Sequence, residues 1–297
     1  MATPTRKRPP FDSIAIVGVG LIGGSIAMAA RRRWPEVELI GIERAARARS
    51  ASVARLVDRV SSALVDVAAA DLIVLAGPVD ANIRLLGRLA ALRAPWKPGV
   101  VITDVGSTKQ DIQRAATGLD LGHLFIGGHP IAGSERSGAR HASVDLFDGA
   151  IWALTPQRAR GARLAALRRF VRGLGARDVR LAAEEHDRTF AWVSHLPQVA
   201  ASALMSLVGA RAGRKGLRLS AGGLRDTTRI AGSSPTMWTP ILHANRRDVS
   251  AAIEAYVRAL TAMRRSLDSP RALDARLRAA NAERSRLTRA RTARRRS

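Results

Sequence analysis

Three groups of residues have the types and spacing from which chemistry could be built. Gly18-Val19-Gly20-Leu21-Ile22-Gly23 fits G-x-G-x-x-G. In that spacing the first glycine permits a tight turn, the second lets backbone approach a pyrophosphate, and the third allows close helix–strand contact. A helix opening there would face phosphates with its partially positive N-terminus. Glu43, in Gly41-Ile42-Glu43-Arg44, lies where such sites hold an acid for a ribose hydroxyl. A carboxylate at that point repels a 2′-phosphate and favours NAD, while Arg44 beside it leaves NADP open. Gly77-Pro78 is a further turn that could meet the same ligand. The second group centres on His129, an imidazole whose ordinary pKa near 6.5 lets it accept a proton at neutral pH. The third contains Arg229, whose guanidinium matches a carboxylate with two parallel hydrogen bonds and stays charged.

The elements that must position these residues alternate. Ile14 to Val17 is a short, β-branched apolar run followed at once by glycines, which reads as a buried parallel strand. Leu21 to Arg33 reads as a helix, and Val37 to Ile42 as a second strand after the break at Pro35. Leu72 to Ala76 is another buried strand, stopped by Gly77-Pro78. Asp80 to Ala94 is amphipathic and helical. Val100 to Thr103, Phe125-Ile126 and Ile151 to Leu154 follow as strands. His129 is expected on a rigid loop, with Pro130 and its neighbouring glycines opposing a helix. Ser107 is expected just past a strand end. This alternation implies an α/β fold, a doubly wound, mostly parallel Rossmann-type sheet over residues 11–180. From Glu184 the pattern turns alanine- and leucine-rich. Glu184 to Arg211, Met237 to Ala244 and Arg247 to Leu267 read as helices of an all-helical domain over 181–280, with enough apolar surface for dimerisation. Residues 281–297 read as a basic tail, a helix that frays to disorder.

Composition bounds the function. The chain has 297 residues, 46% of them hydrophobic, and no cysteine. Disulfides, thiolate metal sites and cysteine nucleophiles are therefore excluded. His123, His141 and His243 show no metal-ligand spacing, and no metal is expected. No run of about 18 apolar residues suggests a membrane span, and the start lacks a signal-peptide apolar region. A cytoplasmic protein is expected. The net charge of +25 raises the question of nucleic acid. Against it, aromatics are 4% and the arginines are spread along the chain rather than interleaved with stacking residues.

Four stretches together go further. They are Gly20-Leu21-Ile22-Gly23-Gly24-Ser25, Asp104-Val105-Gly106-Ser107-Thr108-Lys109, Gly128-His129-Pro130-Ile131-Ala132-Gly133-Ser134-Glu135, and Gly222-Gly223-Leu224-Arg225-Asp226-Thr227-Thr228-Arg229-Ile230-Ala231. In combination, over roughly residues 13 to 265, the chain closely resembles the prephenate/arogenate dehydrogenase family. His186-Asp187, Ser194-His195-Leu196-Pro197, and the spacing on to Met237-Trp238 and Asn245 add to the match. The resemblance implies an NAD-dependent oxidative decarboxylation of prephenate, with arogenate or both substrates as the alternative. Hydride leaves the ring carbinol carbon, the 4-hydroxyl loses its proton, and carbon dioxide departs as the ring becomes aromatic. Such a reaction needs a base, a cation for carboxylates and a dry pocket.

The resemblance makes His129 the acceptor for the 4-hydroxyl and Ser107 its hydrogen-bonding neighbour. Lys109 supports that loop. Arg229 becomes the carboxylate clamp, oriented by Asp226. Glu135 orders pocket water or accepts from a substrate amine, Trp238 walls the pocket, and His195 lines it. Many relatives place a second histidine where this chain has Gln198, which can hydrogen-bond but cannot titrate. The family's habit of dimerising implies a homodimer. Two other readings remain: a dehydrogenase of the β-hydroxyacid or imine-reducing kind, which would leave the His129 motif unexplained, and a basic regulatory or nucleic-acid-binding protein on a dinucleotide fold.

Overall fold

The computed structural model describes residues 8–92, 95–133, 136 and 138–296, with side chains up to residue 289. The first half alternates strands and helices. In order these are β1 (Ser13–Val17), α1 (Leu21–Arg33), β2 (Glu38–Ile42), the short α2 (Ala45–Ala48) and α3 (Ala51–Ala54), and β3 (Arg59–Ser61). Then come β4 (Leu72–Leu75), α4 (Val79–Ala90), β5 (Val101–Asp104), α5 (Gln110–Gly118), β6 (Phe125–Pro130), β7 (Ile151–Pro156), α6 (Ala162–Gly173) and β8 (Arg177–Arg180). They form one sheet in the order β3-β2-β1-β4-β5-β6-β7-β8. Every pairing is parallel except β6 with β7.

Both faces of this sheet are covered, which is why its central strands are apolar throughout. Ile14, Ile16, Leu39, Leu72 and Val74 belong to one buried cluster. The alternate residues Ala15, Val17, Ile40, Ile73 and Leu75 belong to another, the period-two alternation of a strand. The strand order reverses beside β1, whose neighbours are β2 and β4. A crevice at the carboxyl ends of strands on either side of such a reversal is where open α/β sheets bind ligands.

After Arg180 the chain is helical: α7 (Ala183–Phe190), a π-helical turn (Ala191–His195), α8 (Leu196–Arg218), α9 (Gly222–Thr228), α10 (Pro235–Ala244), α11 (Arg246–Ser266) and α12 (Pro270–Arg296). Two compact units divide the chain, up to Asn245 and from Arg246 onward. Helices α7 and α10 belong with the first unit because they touch α5 and α4 of the sheet layer. The second unit is α11 packed with α12. The basic tail, expected to be helical before fraying, continues α12 through Arg296. Alanine and arginine are strong helix formers, and pairs such as Arg286–Glu283 at 2.7 Å bridge adjacent turns. The run Ala183–Arg218 is long and apolar enough, by length and composition, to cross a membrane. Four of its polar side chains, His186, Asp187, His195 and Gln198, are nevertheless buried.

Gly23 shows how tightly the first helix meets β1. A Cβ there would collide with the Gly18 carbonyl oxygen and stand 2.9 Å from Ile16 Cγ2. Overpacking of this kind costs about 1–3 kcal/mol. Gly23→Ala should therefore lower Tm by about 2–10 °C and weaken dinucleotide binding together with it, read by thermal unfolding with and without NAD.

Candidate active site

The glycine turn is built as its spacing requires. Gly18 follows β1 with φ +102°, and a Cβ on it would meet Ala76 carbonyl atoms at 3.1 Å. The turns after β1 and β4 thus press against each other. Gly20 caps α1, and a Cβ there would meet nothing within 4 Å, so open space lies over the turn. The first helical bond runs from Gly24 N–H to the Gly20 carbonyl. The amides of Leu21, Ile22 and Gly23 therefore precede any helical acceptor and suit a pyrophosphate. Glu43 is buried beyond β2, and its Oε1 accepts the Val19 N–H at 2.8 Å. Its Oε2 is 3.9 Å from Arg47 Nε. Arg44 is exposed beside it. Gly77 and Pro78 lead into α4, and Gly77 N–H donates to Asn82 Oδ1 at 3.0 Å. Buried Asn82 also donates to the Leu75 carbonyl at 3.0 Å, a brace for the turn that sequence reading did not single out.

His129 is not on a loop. It lies inside β6, paired opposite Ala153 of β7. Its glycine neighbours serve close packing rather than turning: a Cβ on Gly128 would stand 2.9 Å from Trp152 Nε1 and 3.0 Å from Thr103 Oγ1. His129 Nδ1 is 2.8 Å from His186 Nε2. His186 Nδ1 is in turn 2.7 Å from Asp187 Oδ1. Asp187 accepts backbone N–H groups from Lys109 at 2.8 Å and Gln110 at 2.9 Å. Phe190 covers both rings, stacked on His186 at 4.4 Å and tilted against His129 at 4.8 Å. Burial pushes the His129 pKa well below its ordinary value, and the neighbouring His186 and Lys109 push it the same way. Burial likewise lowers His186, with Asp187 opposing.

Lys109 is wholly buried. Its Nζ pairs with Asp104 Oδ2 and donates to the Gly128 carbonyl at 2.7 Å. Asp104 also accepts the amides of Gly106 at 2.8 Å and Gly128 at 3.1 Å. Lys109 thus supports the loop after β5. Removing either charge would strand the other at a cost of about 3–5 kcal/mol. Ser107 is half-buried on this loop, just past β5.

The helical segments bring further groups to the same network. Asn245 Nδ2 donates to the Asp187 carbonyl at 2.8 Å and meets His195 Nδ1 at 3.0 Å. His195, buried on the π turn, has its pKa lowered to about 4 by burial. Its Nε2 and Trp238 Nε1 are buried without partners among the described residues, and the two rings meet edge-to-face at 6.1 Å. One turn on, Gln198 Nε2 donates to the Ile230 carbonyl at 3.0 Å. That bond ties α8 to the turn carrying Arg229, which is exposed. Asp226 does not orient Arg229. It is exposed and its near cation is Arg225 at 3.7 Å, because residue 226 lies on the outer side of α9. Glu135 lies outside the described residues. Sequence reading gave no role to His186, Asp187, Asn245 or Phe190; the adjacent His186-Asp187 pair was the available signal.

Comparisons with known proteins bear on the family and the fold. Residues 26–180 match the model "Prephenate dehydrogenase, nucleotide-binding domain", and residues 182–278 match "Prephenate dehydrogenase, dimerization domain". The chain is 37% identical over 250 residues to the prephenate dehydrogenase of Lactococcus lactis, covering 83% of this chain and 68% of that one. The structure of prephenate dehydrogenase from A. aeolicus in complex with hydroxyphenyl propionate and NAD+ superposes with a TM-score of 0.85 at 28% identity, covering 93% of this chain and 98% of that one. Synechocystis arogenate dehydrogenase superposes with a TM-score of 0.79 at 30% identity, covering 93% of this chain and 99% of that one. With both halves matched, and with the buried imidazole and the helical segment joined in one network on the sheet that bears the glycine turn, the chain belongs to the prephenate dehydrogenase family of oxidoreductases.

Proposed function

We propose that this chain oxidises and decarboxylates prephenate with NAD, yielding 4-hydroxyphenylpyruvate for tyrosine biosynthesis. The carrying observation is the buried His129 imidazole held by His186 at the carboxyl edge of the sheet that bears the glycine turn. Bound NAD supplies the acceptor for the hydride. Gly18 to Gly23 hold its pyrophosphate, Glu43 its ribose, and Gly77 and Pro78 flank it. The carboxylate of Glu43 disfavours the extra phosphate of NADP. His129 takes the proton of the 4-hydroxyl, and Ser107 hydrogen-bonds the same hydroxyl. Arg229 clamps a substrate carboxylate. His195, Gln198 and Trp238 line the remaining wall, a role supported by the partnerless His195 Nε2, Gln198 Oε1 and Trp238 Nε1. Glu135 orders pocket water or accepts from a substrate amine.

Arogenate is the second reading. Gln198 Oε1 is a buried acceptor with no partner among the described residues, and an acceptor there suits an ammonium group better than a keto group. The protein acts in the cytoplasm as a homodimer through its helical segments. Support for the dimer comes from the match to a dimerization domain and from Trp192, Val193 and Leu207, which are exposed at 48%, 64% and 58% on the run through α8.

Initial rates at 340 nm with prephenate and arogenate, each with NAD and NADP, test the reading directly. Prephenate with NAD should be the fastest pair, and no turnover with any pair would refute it. His129→Asn should cut kcat by about 10² or more while NAD affinity holds. Because His129 is neutral well below pH 6.5, and the neutral form is the base, kcat/KM should stay level as pH falls through 6.5 and decline only further down. An acid limb at or above 6.5 would contradict a neutral base. Arg229→Ala should raise KM for the acid substrate by about 10-fold or more with a smaller change in kcat, the pattern of lost uniform binding. An unchanged KM would move the clamp elsewhere.

A further inference from the structure

We propose that His186 and Asp187 are positioning residues that hold His129 in the one tautomer able to act as a base, and that His186 takes over the proton His129 releases. The inference rests on the reading of His129 as the base. It follows from the order of donors and acceptors along the chain of contacts.

Asp187 is acceptor-only as a carboxylate, and both of its oxygens already receive backbone amides. The proton in its 2.7 Å contact with His186 therefore sits on His186 Nδ1. A neutral imidazole has one N–H, so His186 Nε2 is bare and accepts. The 2.8 Å contact between the rings then requires the proton on His129 Nδ1. His129 Nε2 is left with its lone pair, and no described residue hydrogen-bonds it.

The same order gives the proton a path. As the substrate O–H bond breaks, an N–H bond forms at His129 Nε2, and the oxygen's electron pair becomes the new carbonyl as hydride leaves the carbon. The His129 Nδ1–H bond breaks and an N–H bond forms at His186 Nε2. His129 ends neutral, and the positive charge rests on His186 against the Asp187 carboxylate. Charge is thereby moved from a buried ring that disfavours it to one with a carboxylate in contact. The charged or titratable groups around His129 are His186 and His195, Lys109 with its partner Asp104, and Asp187 behind His186. Only Asp187 offers its negative charge along this hydrogen-bonded line. Phe190 stacks on His186 and packs tilted against His129, which keeps the two rings in contact.

The test compares full-length wild type, Asp187→Asn, His186→Gln and His129→Asn. It uses steady-state kinetics with prephenate and NAD, together with 15N NMR of histidine-labelled enzyme. In the wild type, His129 should show a protonated Nδ1 and a bare Nε2. Asp187→Asn, which can turn an amide N–H toward His186, should reverse both tautomers and lower kcat by about 10² or more. His186→Gln keeps an acceptor for His129 Nδ1 but cannot hold the proton. It should retain the tautomer, lower kcat by about 10-fold or more, and leave substrate KM within about three-fold. If His186→Gln and Asp187→Asn turn over like wild type while His129→Asn is inactive, the relay is wrong and the base reading stands. If His129→Asn is also active, the base reading itself fails. A wild-type His129 with its proton on Nε2 overturns the proposal even if neither of the other two variants folds.

Discussion

The arrangement depends on one carboxylate. Asp187 accepts the amides that open α5 and contacts His186 within its own helix. Those bonds fasten the start of the helical segment to the sheet's carboxyl edge. Buried hydrogen bonds to a charged group are worth about 1.5–3 kcal/mol each, and an unpaired carboxylate at this depth would be costly. The same stretch holds the sheet side, since Lys109 and Asp104 tie the β5 loop to β6 beneath His129. Orientation of the imidazole is thus a property of three elements at once, β5, β6 and α7.

From there hydrogen bonds and one turn of helix lead to the segment carrying Arg229. Asn245 links the Asp187 backbone to His195, and Gln198, one turn further, bonds the residue after Arg229. The break in helical regularity at Ala191–His195 lies within this connection. A single π turn shifts the side chains that follow it, a device often found at functional sites. It lets His186 and His195, on one continuous helical run, both enter the buried network.

The parts of the fold set by local pattern were legible in the sequence. Apolar β-branched runs ending in glycine became β1 and β4, and the G-x-G-x-x-G spacing became the turn over which open space lies. Strands β3 and β8 escaped notice because edge strands carry charge, as in Arg177–Arg180. Pro130 and its glycines suggested a loop, yet Pro130 ends a strand, where a missing N–H is tolerated. Long-range pairing is what a sequence hides. Nothing local shows that Lys109 would be buried against Asp104, or that His186 would meet His129 from 57 residues away. Asp226 failed as a partner for Arg229 for the converse reason, since nearness in sequence did not give nearness of side chains. The large positive charge is mostly a surface matter. Exposed pairs such as Arg31–Asp58 at 2.5 Å add little stability, while the net field attracts anionic substrates.

The central claim is that His129 presents a bare Nε2 to the ring hydroxyl of a ligand whose carboxylate lies against Arg229. A crystal structure of the full chain with NAD and 4-hydroxyphenylpropionate measures that directly. The account predicts the ligand's ring oxygen within about 2.6–3.2 Å of His129 Nε2, with its carboxylate on the Arg229 guanidinium. A ligand oxygen on Nδ1, or a carboxylate bound with Arg229 turned to solvent, would contradict it.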